Sequence, residues 1–285
     1  TLVLLALWLH LKGSWRGAAL ALGLAVLVKL PAAIFIPGYV WYLLWQHRGA
    51  STAVHERSSW PSAAGLGRAS QAAAIIAASW AVPYLPLWEG WRTLQPLVSG
   101  PANRFLAHSL PTVIWWNIPE WLADVQGITA NREGYVDALR DFLIGNVRTL
   151  FFGLLGLVAL LVTWRARTFG RMLDAWGWVA IAAIMAQGWF WPWYVSWAIV
   201  PALFAPSQRL RNTVLVFSVS ALLHYLEEQI LGAHWKFFHD WSGVLIMAPP
   251  LLYLLGSWLA QVRARRNVRA RHTLASVAGV AEGST

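Results

Sequence analysis

Apolar runs of nearly membrane-crossing length recur along this chain, and they remove most folds from consideration. A helix needs roughly 20 consecutive apolar residues to cross a bilayer. Such runs open near Gly17, Gln71, Phe142, Met172, Trp193, Thr213 and Ser242. No water in the hydrocarbon layer can satisfy backbone amides, so spanning segments must bond internally, as helices do. Composition agrees: 58% hydrophobic and only 12% charged residues are outside the range of an ordinary soluble domain. There are no cysteines, which excludes disulfides, thiol chemistry and Cys-ligated metals. The expected fold is all-α, a polytopic transmembrane helix bundle.

The sequence opens inside an apolar run, Leu2 to Leu11, about half a span long. It reads as the tail of a cut helix, because no basic segment or small-residue cleavage site marks a signal peptide. The chain is therefore expected to be N-terminally truncated. Residues 17–45 exceed one span and fall short of two, so one tilted helix or a hairpin of short helices fits their length. The remaining expected spans are 71–87, 142–164, 172–190, 193–205, 213–231 and 242–260. Residues 1–260 form the bundle, including a long outer loop, 88–141, that carries surface helices. Residues 261–285 are a basic tail, expected to fray.

Charge placement sets the expected orientation. Lys12 and Arg16, the 46–70 segment, Arg165, Arg167, Arg171, Arg209, Arg211 and the Arg263–Arg271 cluster hold 15 of the 22 Lys and Arg residues. The alternate loops hold Glu89, Glu120, Asp124, Glu133, Asp137, Asp141, Glu227, Glu228 and Asp240. The basic side is expected to be cytoplasmic, with the C-terminal tail on that side of the plasma membrane. For Lys12 and residues 46–70 to share it, residues 17–45 must form the hairpin, with Lys29 near its outward turn. The C-terminal arginines then read as topology signals and anionic-lipid contacts, not as a nucleic-acid patch.

Four stretches carry candidate chemistry. In Gly188–Pro206, Trp191, Trp193 and Tyr194 flank Pro192, where a helix must break or start, at a depth that suits amphipathic rings. Lys29 lies in an apolar stretch, a costly placement that suits either a bound phosphate or a lysine snorkelling to the surface. In the outer loop, Phe105, Leu106, Leu110, Val113 and Ile114 recur at helical spacing, and Arg104, His108 and Ser109 offer hydrogen bonds to a sugar or phosphate. Asn117 reads as a helix cap before Glu120. Glu120 and Asp124, one turn apart, fit a general base, a metal pair or an exposed acidic face. His224, Glu227 and Glu228 share a helix face near His234 and Lys236. They suit a polar cavity lining, and their order differs from that of a zinc-protease helix. No metal site or cofactor is assigned; a divalent cation is compatible with the acidic groups.

Three passages together resemble the C-terminal part of a GT-C type integral-membrane glycosyltransferase, of the polyprenyl-phosphate-sugar-dependent mannosyltransferase-like group. They are the Gly/Ala-rich helix ending in Lys before a Pro-bounded helix (Gly17–Pro37), the outer-loop segment around Ser109 (Phe105–Trp115), and Trp191–Pro201, WPWYVSWAIVP, which is similar to a Pro-Trp-Tyr-x-x-Trp element followed by Pro. The resemblance implies transfer of mannose or another hexose from a polyprenyl-phosphate donor to a glycan or lipid acceptor on the outer face. It implies donor phosphate contact by Lys29, and a catalytic acid residue in an outer loop upstream of this sequence. A flippase for a lipid-linked glycan and a non-catalytic membrane scaffold are the alternatives.

Overall fold

The computed structural model describes residues 1–46, 60–93, 95, 108–226 and 236–282, and their regular elements are helical. Among the described residues, three helices are long and apolar enough to cross a membrane: Arg132–Trp164, Phe169–Ala186 and Trp241–Asn267. Shorter apolar helices are Leu2–Leu11, Trp15–Val28, Leu30–Trp45 and Pro192–Phe204.

Helix α1 (Leu2–Leu11) leads through a turn at Gly13 into α2 (Trp15–Val28). The chain breaks at extended Lys29, makes a 3-10 segment at Leu30–Phe35, and returns as α3 (Ile36–Trp45). Pro31 and Pro37 are tolerated because each stands in a first turn, where the missing N–H has no intrahelical partner. The Tyr39 hydroxyl donates to the Trp15 carbonyl, which brings α3 back beside the start of α2. Residues 17–45 are therefore the hairpin that charge placement requires.

A directed set of hydrogen bonds holds this hairpin to α1. Because Tyr39 gives its proton to Trp15, its oxygen accepts from His10 Nδ1 at 3.1 Å. That leaves His10 Nε2 to accept from the Tyr42 hydroxyl, also at 3.1 Å. The His10 ring lies stacked on Phe169 with centroids 5.4 Å apart. A buried polar set satisfied in this way fixes one arrangement of α1, α3 and the next helices.

Helix α4 (Ala63–Tyr84) runs alongside α2 in the same direction, with Arg16 bonded to Gln71 near one end and Trp80 Nε1 bonded to the Gly23 carbonyl near the other. It starts well before the expected Gln71. Ser62 caps it by accepting from the Gly65 amide, and Arg68, read as part of a polar loop, lies buried on it. Beyond it, one turn at Leu110–Thr112, a π turn at Val113–Asn117 and α5 (Ile118–Val125) follow. Ser109 and Val113 are buried, so this stretch packs into the bundle end where a helix lying on the surface was expected. Asn117 makes no side-chain capping bond, because the backbone entering α5 is already helical.

Helix α6 (Arg132–Trp164) begins ten residues before the expected Phe142. Asn131, at φ 52°, turns the chain, and the charged residues 132–141 are absorbed as the first turns. Only 6% of its most apolar window is buried, against 61% for α7 (Phe169–Ala186). The former is left exposed along most of its apolar length and the latter is the core helix, with Trp176 almost fully buried. A 3-10 turn at Pro192–Val195 joins α7 to α8 (Ser196–Phe204), and α9 (Gln208–Ala221) follows. The last helix, α10 (Lys236–Glu282), packs antiparallel to α9 through Ser220 to Ile246 and Asn212 to Tyr253. It continues through the basic segment where a frayed tail was expected.

These directions sort the side chains into two ends. Arg16, Arg68, Arg167 and Arg211 gather at one end, where Arg167 lies over Trp45 and Arg211 reaches the Ala205 carbonyl. Lys29, His108, Trp191 and His224 gather at the other.

Candidate functional site

At the second end, seven side chains from five segments form a continuous row. The Lys29 ammonium stands 5.8 Å from the centroid of the Tyr194 ring, and Lys29 is exposed at the hairpin break. Tyr194 meets Trp193 edge-on at 6.2 Å, and Trp193 stacks on Trp191 at 4.5 Å and 16°. Trp191 meets His224 edge-on at 5.5 Å, and His224 meets His108 edge-on at 4.6 Å. The His108 Nδ1 atom lies 2.9 Å from the Ser242 hydroxyl. The row thus runs from a cation across flat apolar faces to a pair of imidazoles and a hydroxyl.

Local sequence explains how each part is held. Pro192 fixes the 3-10 turn that stands Trp191, Trp193 and Tyr194 at the helix end, and Tyr194 also stacks on Trp197 one turn later at 4.5 Å. His108 has φ 53°, a left-handed conformation that is rare outside glycine and stays in place only when its surroundings impose it. The next residue, Ser109, is fully buried, accepts from the Thr112 amide and lies 2.9 Å from the Thr112 hydroxyl. Thr112 in turn donates to the Gly188 carbonyl at 3.2 Å, which ties this turn to the aromatic segment. Gly243 lets α10 approach so closely that an added Cβ would lie 2.5 Å from the Ser109 carbonyl oxygen.

The sequence candidates divide cleanly. Lys29, Trp191, Trp193, Tyr194, His224, His108 and Ser109 come together. Arg104, Glu227, Glu228 and His234 lie outside the described residues, and Lys236 is the first residue of α10. A cavity lined by the Trp191–Tyr194 cluster and the His224–Asp240 region was expected; residues 227–235 of that lining also lie outside the described residues. Ser242, which no sequence motif marked, is the addition; a Ser-Gly pair inside an apolar run is its one visible signal.

Glu120 and Asp124 belong to a separate cluster. Arg140 donates to Glu120 at 2.7 Å and stacks over Trp116 at 3.9 Å, while Arg132 donates to Asp124 at 2.7 Å. These ion pairs fasten α5 to the first turns of α6. Both carboxylates are engaged by guanidinium groups, which suits an acidic face with a structural task better than a base or a metal pair. Among the described residues no group of three or more His, Asp or Glu side chains is placed to hold a metal.

Fold and site together define an all-helical, membrane-associated protein with an aromatic, His-terminated row at one end of its helices. No family model, curated protein or solved structure matches this chain.

Proposed function

We propose that the protein is an integral-membrane glycosyltransferase that moves a hexose from a polyprenyl-phosphate donor to an acceptor hydroxyl at the aromatic end of the bundle. The observation that carries this reading is the row itself. It begins with a cation held over a ring and continues as stacked faces ending in imidazole and hydroxyl groups. Among the described residues no carboxylate comes within 4.0 Å of the Lys29 ammonium. An ammonium in that setting suits a phosphate, and indole faces suit a sugar ring or an isoprenoid chain.

In the proposed reaction the acceptor oxygen attacks the anomeric carbon and the bond from that carbon to the phosphate oxygen breaks. The phosphate leaves on its lipid, with Lys29 offsetting the charge that develops there. A carboxylate takes the hydroxyl proton; no residue of this sequence is assigned that role. The resemblance to GT-C enzymes, and the acidic loops on the side of the row, support an outward-facing site in a multi-pass plasma-membrane protein with a cytoplasmic C-terminus.

The test uses the full chain in liposomes with polyprenyl-phosphate carrying radiolabelled mannose. Release of polyprenyl phosphate is followed with and without Lys29→Ala. The variant should insert normally and turn over about 10–100-fold more slowly, the range expected for loss of one charge-assisted contact. Unchanged turnover removes Lys29 from the reaction. Passage of labelled lipid across the bilayer without any release would make the protein a transporter instead.

A further inference from the structure

A second feature lies at the opposite, basic end and is independent of the sugar-transfer reading. An open groove of about 540 Å3 separates the turn before α2 from the first turns of α4. Gly13, Ser14, Trp15 and Arg16 line one wall, and Arg68 and Gln71 line the other.

The two arginines are fixed in place, and among the described residues no carboxylate neutralises them. Arg68 is only 8% exposed, and its guanidinium donates to the Ala64 carbonyl and to the carbonyl and side chain of Gln46. Arg16 donates to Gln71 Oε1 at 3.0 Å. All these acceptors are uncharged, and among the described residues no carboxylate lies within 4.0 Å of either guanidinium. A buried cation costs free energy unless an anion answers it, and planar guanidinium forks match phosphate oxygens. The groove adds further donors. Ser14 precedes α2 without making a side-chain cap, so the first-turn amides of α2 have no cap from it. Gly13, at φ 81°, sets that turn.

The edges of the groove say which phosphate carrier it suits. Leu11 is 68% exposed just before Gly13, and Leu66 is 62% exposed beside Gly67. A soluble phosphate has no use for apolar edges, whereas a lipid brings acyl chains that cover them. We propose that this groove binds the phosphate of an anionic phospholipid between Arg16 and Arg68.

The full chain is reconstituted in nanodiscs made from an equimolar mixture of phosphatidylcholine and phosphatidylglycerol, and the lipids it retains are counted by native mass spectrometry. The wild type should keep phosphatidylglycerol in preference to phosphatidylcholine. Arg16→Ala should lower that retention about fivefold, the effect of one positive charge near a lipid headgroup, and Arg16→Glu further. Arg165→Ala, an exposed arginine at the same end but outside the groove, should behave as wild type. Equal retention of the two lipids overturns the proposal, as does equal behaviour of the Arg16 and Arg165 variants. An excess of inorganic phosphate supplies the remaining arm. If it displaces the lipid and itself binds with the same dependence on Arg16, the site takes soluble phosphate and the lipid assignment fails.

Discussion

Replacing Gly243 with Ala tests whether the His108–Ser242 end of the row is built by close backbone approach. A Cβ at that position would meet three backbone atoms of Ser109: oxygen at 2.5 Å, carbonyl carbon at 2.7 Å and nitrogen at 3.0 Å. Ordinary contact begins at 3.4 Å, so the oxygen alone falls short by about 0.9 Å. None of these atoms can rotate away as a side-chain tip does. Helix α10 must therefore move off Ser109, which stretches the 2.9 Å His108–Ser242 bond in the adjoining residue. Overpacking of this kind costs about 1–3 kcal/mol. Gly256 lies on the same helix with open space around its Cβ position and serves as the reference. Ala at either position gains the same helix propensity, about 0.5–1 kcal/mol, so that gain cancels between them. The Gly243→Ala protein should then unfold below Gly256→Ala by about 2–4 °C for each kcal/mol of overpacking. Thermal unfolding in detergent, followed by tryptophan fluorescence, measures the gap. Coincident midpoints for the two variants would refute the close approach and, with it, the way His108 and Ser242 are held together.

Two further outcomes follow from the polar contacts. His10→Leu strands the Tyr42 hydroxyl, which is buried, and should destabilise by about 1–3 kcal/mol; adding Tyr42→Phe should recover most of the loss because no orphan hydroxyl remains. A double-mutant cycle on unfolding midpoints reads this directly, and purely additive effects would contradict the His10–Tyr42 hydrogen bond. Arg140→Ala removes both the Glu120 pair and the stack on Trp116, at a cost of about 1–2 kcal/mol. The loss should appear as faster amide exchange confined to α5 and the first turns of α6, with the aromatic row unaffected.

The row was partly legible in advance, for reasons that differ residue by residue. Trp191, Trp193 and Tyr194 are neighbours in sequence around Pro192, so their shared location follows from one turn. Lys29 joined them through an argument from sidedness: two basic segments on one side force a hairpin between, and its bend must lie at the far end. His108 and Ser242 are 134 positions apart, and nothing local pairs them. Glu120 and Asp124 share a face, as their spacing says, but spacing does not name Arg140 and Arg132 as the groups that occupy them. The early starts of α4 and α6 were missed because apolar length marks where a membrane could be crossed, not where a helix begins. Ser62 supplies one start, and left-handed Asn131 marks the other.

By itself the sequence determined the element type and the sorting of charge. Long apolar stretches have no alternative to helix in a bilayer, and basic residues recur at intervals that only alternating helix directions can gather. Tertiary structure alone decided which helix faces meet. An apolar helix is hydrophobic all round, so its periodicity does not say which face touches a neighbour and which touches lipid. Those choices rest on small residues and individual hydrogen bonds, such as Gly243 against Ser109 and Tyr39 to Trp15, whose effect exists only once two helices are side by side.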